Sequence, residues 1–304
     1  MSEPGAADAV TPGSAHDPLP EALTLARGAA SDGLGLKLLG GLAVRVLCPD
    51  YPPRLRRDQD IDFACLSKER KKVAAYLEAS GCQADRMFNN LNGDRQMYFI
   101  APSGRPIDVM VDRLTMCHTL DLRPSFGRQP LTVDAMDVLL SKLQIVELNE
   151  KDARDIVHLL AALPLSGDRG AAGVSLDTDR FGKLLGADWG WWRTVTGNLA
   201  KLPALIAEKP DLVPPGDKLD PVAESQRLLQ LANVRAELPL HRLGCLDGEL
   251  QQPPRLGDGL VDMVARDQGR PVPQQLFHLG QVPRDGPPPA PVGAEQLAEP
   301  VGVD

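Results

Sequence analysis

The sequence predicts a mixed α/β fold, with a short mixed sheet flanked by helices and a mostly helical C-terminal region. Three observations carry this reading. Asp60 to Leu66 (DIDFACL) alternates acidic and apolar side chains before ending in an apolar run, the period-two pattern of a strand with unlike faces. Gln83 to Phe88, Arg95 to Ala101 and Pro106 to Val111 are further strand candidates, joined by turns at NNLNGD and PSGR. The segments that begin at Lys68, Asp134 and Glu150 carry helical signals instead.

Taken in order, residues 1–19 are rich in Ala, Gly, Ser, Asp and Pro and read as a disordered tail. Residues 20–164 form the first predicted domain. In it, Pro20 to Ala30 has weak helical periodicity, and the apolar Leu36 to Leu39 ends in Gly40-Gly41. Leu42 to Cys48 reads as a short helix stopped by Pro49, and PDYPPRLRRDQ as a basic loop. Ser67 is a suitable N-cap for a helix through Ser80, with Gly81 at its C′ position. Asp134 caps a predicted helix through Leu148, and a second runs from Glu150 to Leu163. Residues 165–250 are expected to be a helical C-terminal domain. It holds Phe181 to Ile206, kinked or ended by Pro203, and Pro221 to Glu237. Residues 251–304 read as a Pro/Gly-rich, largely disordered tail.

Composition narrows the function classes. A net charge of −8 argues against a generally basic nucleic-acid binder. The five cysteines include no C-x-x-C pair, and their odd number suits no closed disulfide framework, so buried reduced thiols are expected at Cys65 and Cys82. No basic-then-apolar leader opens the chain, and no run approaches the roughly 18 apolar residues of a membrane span. A cytoplasmic protein with no membrane partner is the expectation.

The chemistry centres on carboxylates. Residues i and i+2 of a strand share a face, so Asp60 and Asp62 stand side by side and repel unless a cation lies between them. Hard oxygen donors suit Mg²⁺, which is held by one or two carboxylates together with substrate phosphates. A solvated acidic strand face would give the same D-x-D. Asp108 shifts the balance, because it interrupts the apolar run of Pro106 to Val111, and a carboxylate there needs a partner or a metal. Asp112 is the better candidate for a strand-end Asp that accepts backbone hydrogen bonds. Gly40-Gly41, ahead of a helix, lets backbone approach a phosphate closely and aims N–H groups at it.

In this order, LKLLGGLAVRVL, RRDQDIDFA and RPIDVMVDRL resemble the nucleotidyltransferase superfamily that includes DNA polymerase beta. The later LLSKLQIVELNEKDARDIVHLL is similar to AbiEii-type toxin nucleotidyltransferases. The resemblance covers roughly residues 36–163 and implies a nucleotidyltransferase fold. It implies two Mg²⁺ ions on Asp60, Asp62 and Asp108, and an NTP bound by Gly40, Gly41, Arg57 and Lys142, with Asp155 positioning Lys142 or the acceptor. Many relatives carry Ser or Thr after the glycine pair, where this chain has Leu42.

The implied reaction is transfer of a nucleoside monophosphate to a hydroxyl acceptor with release of pyrophosphate. An RNA end is the acceptor that the AbiEii resemblance implies, and such a toxin would have an antitoxin partner. A small-molecule acceptor such as an antibiotic, or a catalytically weak binding module of the same fold, are the competing readings. Other candidates read as structural. Lys68, Arg70, Lys71 and Lys72 suit a solvent-facing helix turn, His158 a packed histidine, and Trp189, Trp191 and Trp192 a helix–helix contact.

Overall fold

The strand with alternating character forms where its pattern requires, as β2 (Ile61–Cys65). It sits second in a five-stranded mixed sheet of order β1-β2-β5-β4-β3. The others are β1 (Lys37–Leu38), β3 (Gln83–Ala84), β4 (Gln96–Ile100) and β5 (Pro106–Val111). β2 and β5 run parallel, and the remaining pairs are antiparallel. Ile61, Phe63, Met97, Phe99, Ile107 and Val109 are buried on one face. Asp62, Gln96, Tyr98 and Asp108 alternate with them and remain half-buried on the other. The computed structural model describes residues 17–52, 59–166, 173–216 and 219–240, all within one compact unit, Met1–Leu246. Of the expected tail 1–19, residues up to 16 lie outside the described residues, as do the basic loop with Arg54, Arg56 and Arg57, Cys245 and the tail 251–304, whereas Asp17 is buried and paired with Arg45 and Leu19 opens the first helix.

Helices α1 (Leu19–Ser31), α2 (Gly40–Leu47) and α3 (Arg70–Ala79) match the predicted runs in place. The start of α3 differs from expectation, because its N-cap is Glu69 without a side-chain cap. The Ser67 N–H instead donates to Asp112 Oδ1 at 2.9 Å, and Glu69 Oε2 accepts from the Gly35 N–H at 2.7 Å. Asp112 adopts a φ of 61°, a left-handed turn that short Asp side chains tolerate, and so closes β5 as the strand-end reading anticipated. Cys65 and Cys82 are buried, and burial pushes their thiols up to about 12 and about 11.

The predicted strand Gln83 to Phe88 is cut short at Ala84. Asp85 accepts from the Phe88 N–H at 2.8 Å and starts α4 (Arg86–Asn92), so its capping chemistry overrides the local alternation. Beyond the short β3 the Asp85 N–H still donates to the Tyr98 carbonyl at 3.1 Å, and the place beside the Tyr98 N–H falls to a side chain. Asn89 fills that place. Its Oδ1 accepts from the Tyr98 N–H at 2.6 Å, and its Nδ2 donates to the Tyr98 carbonyl at 3.0 Å. One side-chain amide thus imitates a paired peptide.

Asp134 caps α5 (Ala135–Leu143) by accepting from the Met136 N–H, and the helix ends at Gln144 rather than Leu148. Every residue of α5 is buried, polar ones included. Asp137 accepts from Ser125 Oγ, and from Arg180 Nε at 2.6 Å. Burial pushes the Asp137 carboxyl up to about 6 although Arg180 and Ser125 pull it down. α6 (Glu150–Ala162), α7 (Thr178–Ala187), α8 (Trp189–Glu208) and α9 (Pro221–Leu240) complete the described helices. α7, α8 and α9 pack on one another and on α5 or α6, and their apolar residues join the same core as the sheet. Pro203 lies inside α8 without ending it, which removes one helical hydrogen bond.

A hairpin that the sequence reading missed, β6 (Arg113–Thr115) with β7 (Thr119–Asp121), brings His118 against α8. The His118 ring lies 5.0 Å from that of Trp191, and its Nε2 is 2.9 Å from Thr194 Oγ1. Trp191 is a core residue as expected, whereas Trp189 is 67% exposed with the Arg193 guanidinium over its ring. His158 is buried edge-on to Tyr51, a packed histidine. Among the described residues no helix is long and apolar enough to cross a membrane.

Replacing Asn89 with Ala should cost about 1–3 kcal/mol, because it takes the amide oxygen from the Tyr98 N–H and leaves the Tyr98 carbonyl with the bond from the Asp85 N–H. Urea unfolding of the two proteins measures this, and equal midpoints would show that water replaces the amide at no cost.

Candidate active site

Register brings the predicted carboxylates together. β2 and β5 pair in parallel with Asp62 directly opposite Asp108, so both side chains leave the same face of neighbouring strands roughly 5 Å apart. Asp60 stands just ahead of β2, half-buried, and adds its charge to the same place. The Asp62 carboxyl is pushed up to about 6, first by burial and then by the charge of Asp108, with Asp60 acting in the same direction. Lys142 and Lys151 oppose the rise without cancelling it.

Gly40 meets this cluster from the β1 side. The Leu39 N–H donates to the Asp62 carbonyl at 2.9 Å, which lays the following glycine against the Asp62 side chain. Gly40 has a φ of 62°, and a Cβ placed on it would overlap Asp62 Oδ2. Both facts require glycine. Gly41 is under less constraint, since a Cβ there would meet only Gln59 Nε2 at 3.4 Å. Leu42 is buried in the core and contributes packing.

On the β4 side, Gln96 Nε2 donates to Asp108 Oδ1 at 2.6 Å, an interaction that favours the ionised carboxylate. Gln96 was not anticipated, because nothing in the local pattern of β4 links it to a residue 12 positions later.

Lys142 and Asp155 also come together, and a third residue joins them. Lys142 Nζ lies 2.8 Å from Asp155 Oδ2 and 3.1 Å from Asp152 Oδ1, at the last turn of α5 against the first turns of α6. Burial pulls the ammonium down, but Asp155 and Asp152 outweigh it and hold Lys142 above the usual lysine range. Asn149, the N-cap of α6, accepts from the Asp152 N–H and donates to Asp152 Oδ2 at 2.7 Å, which fixes the carboxylate that holds the lysine. Asp152 and Asp155 are i and i+3 on one helical face, a spacing that could have exposed the pair in sequence. Lys151, exposed on the first turn of α6, is near enough to Asp62 to act on its charge and was also overlooked. Arg57 lies outside the described residues.

Among the described residues no three acidic, histidine or cysteine side chains form a complete metal cage. Mg²⁺ needs only one or two protein carboxylates when phosphates supply the other oxygens. The in-register pair Asp62 and Asp108 supplies that number of carboxylates on one face of the sheet.

No family model matches the chain, and no curated protein matches it. It is similar to the solved structure of an antigenic nucleotidyltransferase-like protein from Paracoccidioides brasiliensis, at 14% identity and a TM-score of 0.36. The match covers 66% of this chain and 91% of that one.

Two outcomes follow from this geometry. Gly40→Ala should unfold at lower denaturant and displace Asp62, a combined loss of about 2 kcal/mol or more from the positive φ and the overlap; unchanged stability would mean that the turn relaxes freely. The second concerns pH. Asp62 binds a proton more readily folded, near pH 6, than at its ordinary 3.8, so its burial weakens the fold above pH 6 and that penalty fades as pH falls towards 4. In Mg²⁺-free buffer Asp62→Asn should therefore stabilise the protein by on the order of 2 kcal/mol at pH 7.5, with little gain near pH 4. Thermal unfolding across pH reads this directly, and a gain that does not vary with pH would assign it to packing.

Proposed function

We propose that the protein is a Mg²⁺-dependent nucleotidyltransferase that moves a nucleoside monophosphate from an NTP to a hydroxyl acceptor. The observation that carries this is the register of Asp62 opposite Asp108, with the backbone of Gly40 laid against Asp62. A carboxylate pair of this kind costs the fold electrostatic energy and is suited to holding a cation that substrate phosphates share.

Asp62 and Asp108 would hold the metal, with the charge of Asp60 nearby, and when bound it would neutralise the triphosphate and lower the pKa of the attacking hydroxyl. The remaining work belongs to the chain. Gly40 and Gly41 give the β- and γ-phosphates close access to the start of α2. Lys151 offers an exposed ammonium to the phosphates. Lys142 is already held by Asp152 and Asp155, so it acts as a fixed charge behind the carboxylates and sets the position of α6 against them. Asp108, whose Oδ1 accepts from Gln96, takes the proton of the attacking hydroxyl. The acceptor oxygen bonds to the α-phosphorus as the bond to pyrophosphate breaks, and alignment together with charge neutralisation does most of the catalytic work.

The test is calorimetric titration with each of the four triphosphates, with and without Mg²⁺, on the natural protein and on Asp60→Ala/Asp62→Ala. Mg²⁺-dependent binding of at least one triphosphate, lost in the double variant, is the expected result. Folded protein that binds none of them would remove the catalytic roles from these residues and leave a module of another function.

A further inference from the structure

Gln59 directly precedes Asp60 on the segment that enters β2. Its main chain is anchored, because Arg105 Nη1 donates to the Gln59 carbonyl at 3.2 Å. Its side chain is not. Oε1 is enclosed without a donor, and among the described residues Nε2 has no acceptor. The amide nevertheless has a definite place, over the glycine turn. Nε2 lies 3.4 Å from the point that a Cβ on Gly41 would occupy, and no other atom of the described residues comes within 4 Å of that point.

We propose that Gln59 is a triphosphate-binding residue, whose amide nitrogen donates a hydrogen bond to the phosphate seated against Gly41. The proposal rests on the nucleotidyltransferase reading and adds to that site a side chain from the strand that carries Asp62. Three observations support it. The first is position. A phosphate that approaches the Gly41 backbone comes within reach of Nε2, since that atom borders the space that glycine leaves open. The second is the unmet hydrogen bonding. A buried acceptor without a donor destabilises the free protein, and an unpaired amide of this kind is a group kept for binding rather than for the fold. The third is the neutrality of the side chain beside acidic neighbours. Lys142 shows what becomes of a cation here, held by Asp152 and Asp155. The Gln96 amide, likewise, is committed to Asp108. The Gln59 amide donates to none of the described carboxylates, so its N–H groups remain for a ligand, and a hydrogen bond to an ionised phosphate is among the stronger ones an amide makes.

The experiment uses the full chain, Mg²⁺ and the α,β-methylene analogue of the triphosphate that binds best, with Gln59→Leu and Gln59→Glu as variants. In calorimetry Gln59→Leu should bind the analogue roughly tenfold more weakly, the loss of one hydrogen bond to a charged group. Gln59→Glu, which keeps the shape but sets a carboxylate against the phosphate, should bind more weakly still. Two further measurements separate binding from structure. Affinity for Mn²⁺ without nucleotide, read by electron paramagnetic resonance, should be unchanged in Gln59→Leu, because the carboxylates stay in place. The same variant should unfold at an equal or higher urea concentration, because it removes an unmet buried acceptor. Unchanged affinity of Gln59→Leu for the analogue would overturn the proposal. A loss of Mn²⁺ affinity or of urea resistance in that variant would make Gln59 a structural support and overturn it as well. Natural protein that binds no triphosphate at all would remove the nucleotidyltransferase reading itself, a result distinct from these.

Discussion

Like charges repel, yet this fold holds Asp62 and Asp108 opposite each other on parallel strands and adds Asp60 at the entrance. No packing requirement asks for that. Apolar residues at the same positions would extend the core at lower cost. The rest of the site can be understood as the means of holding this arrangement. Gly40 gives the Asp62 carboxylate room that any side chain would take away, and Gln96 secures one oxygen of Asp108. Positive charge is supplied from a distance by α5 and α6.

That distance is controlled by a second buried constraint. α5 is enclosed along its whole length, so its two charged side chains, Asp137 and Lys142, each need counter-charges from neighbouring helices. Asp137 takes Arg180 from α7, and Lys142 takes Asp152 and Asp155 from α6. Such pairs add little net stability, but breaking one strands a buried charge at a cost of about 3–5 kcal/mol. They therefore fix orientation more than they strengthen the fold. Through them the helices beyond residue 164 are tied to the helix that carries Lys142, and the site and the C-terminal helices share one framework.

The parts of this framework that were legible in the sequence are those with a short-range signal. Period two marked β2 with Asp60 and Asp62, an acidic residue within an apolar run marked β5 with Asp108, and the capping residue Asp134 marked the start of α5. What depends on partners far along the chain was not legible. The register that sets Asp62 against Asp108 is a property of two strands more than 40 residues apart, and the bond from Gln96 to Asp108 crosses a hairpin. Gln83 to Phe88 was misread for a different reason. Its alternation is genuine, but Asp85 caps a helix at that point and the chain follows the cap. Asp152 and Lys151 lie on the same short stretch of α6 as Asp155, and the i, i+3 spacing of the two carboxylates is the one local sign that they share a partner.

The amide of Asn89 has a consequence outside catalysis. A strand that loses its neighbour halfway along offers free N–H and carbonyl groups to any extended chain that comes near, the usual starting point of edge-to-edge aggregation. By occupying the Tyr98 peptide with a side chain, the protein closes that opening without building another strand. An extended chain that comes near this stretch of β4 finds the Tyr98 N–H and carbonyl already taken.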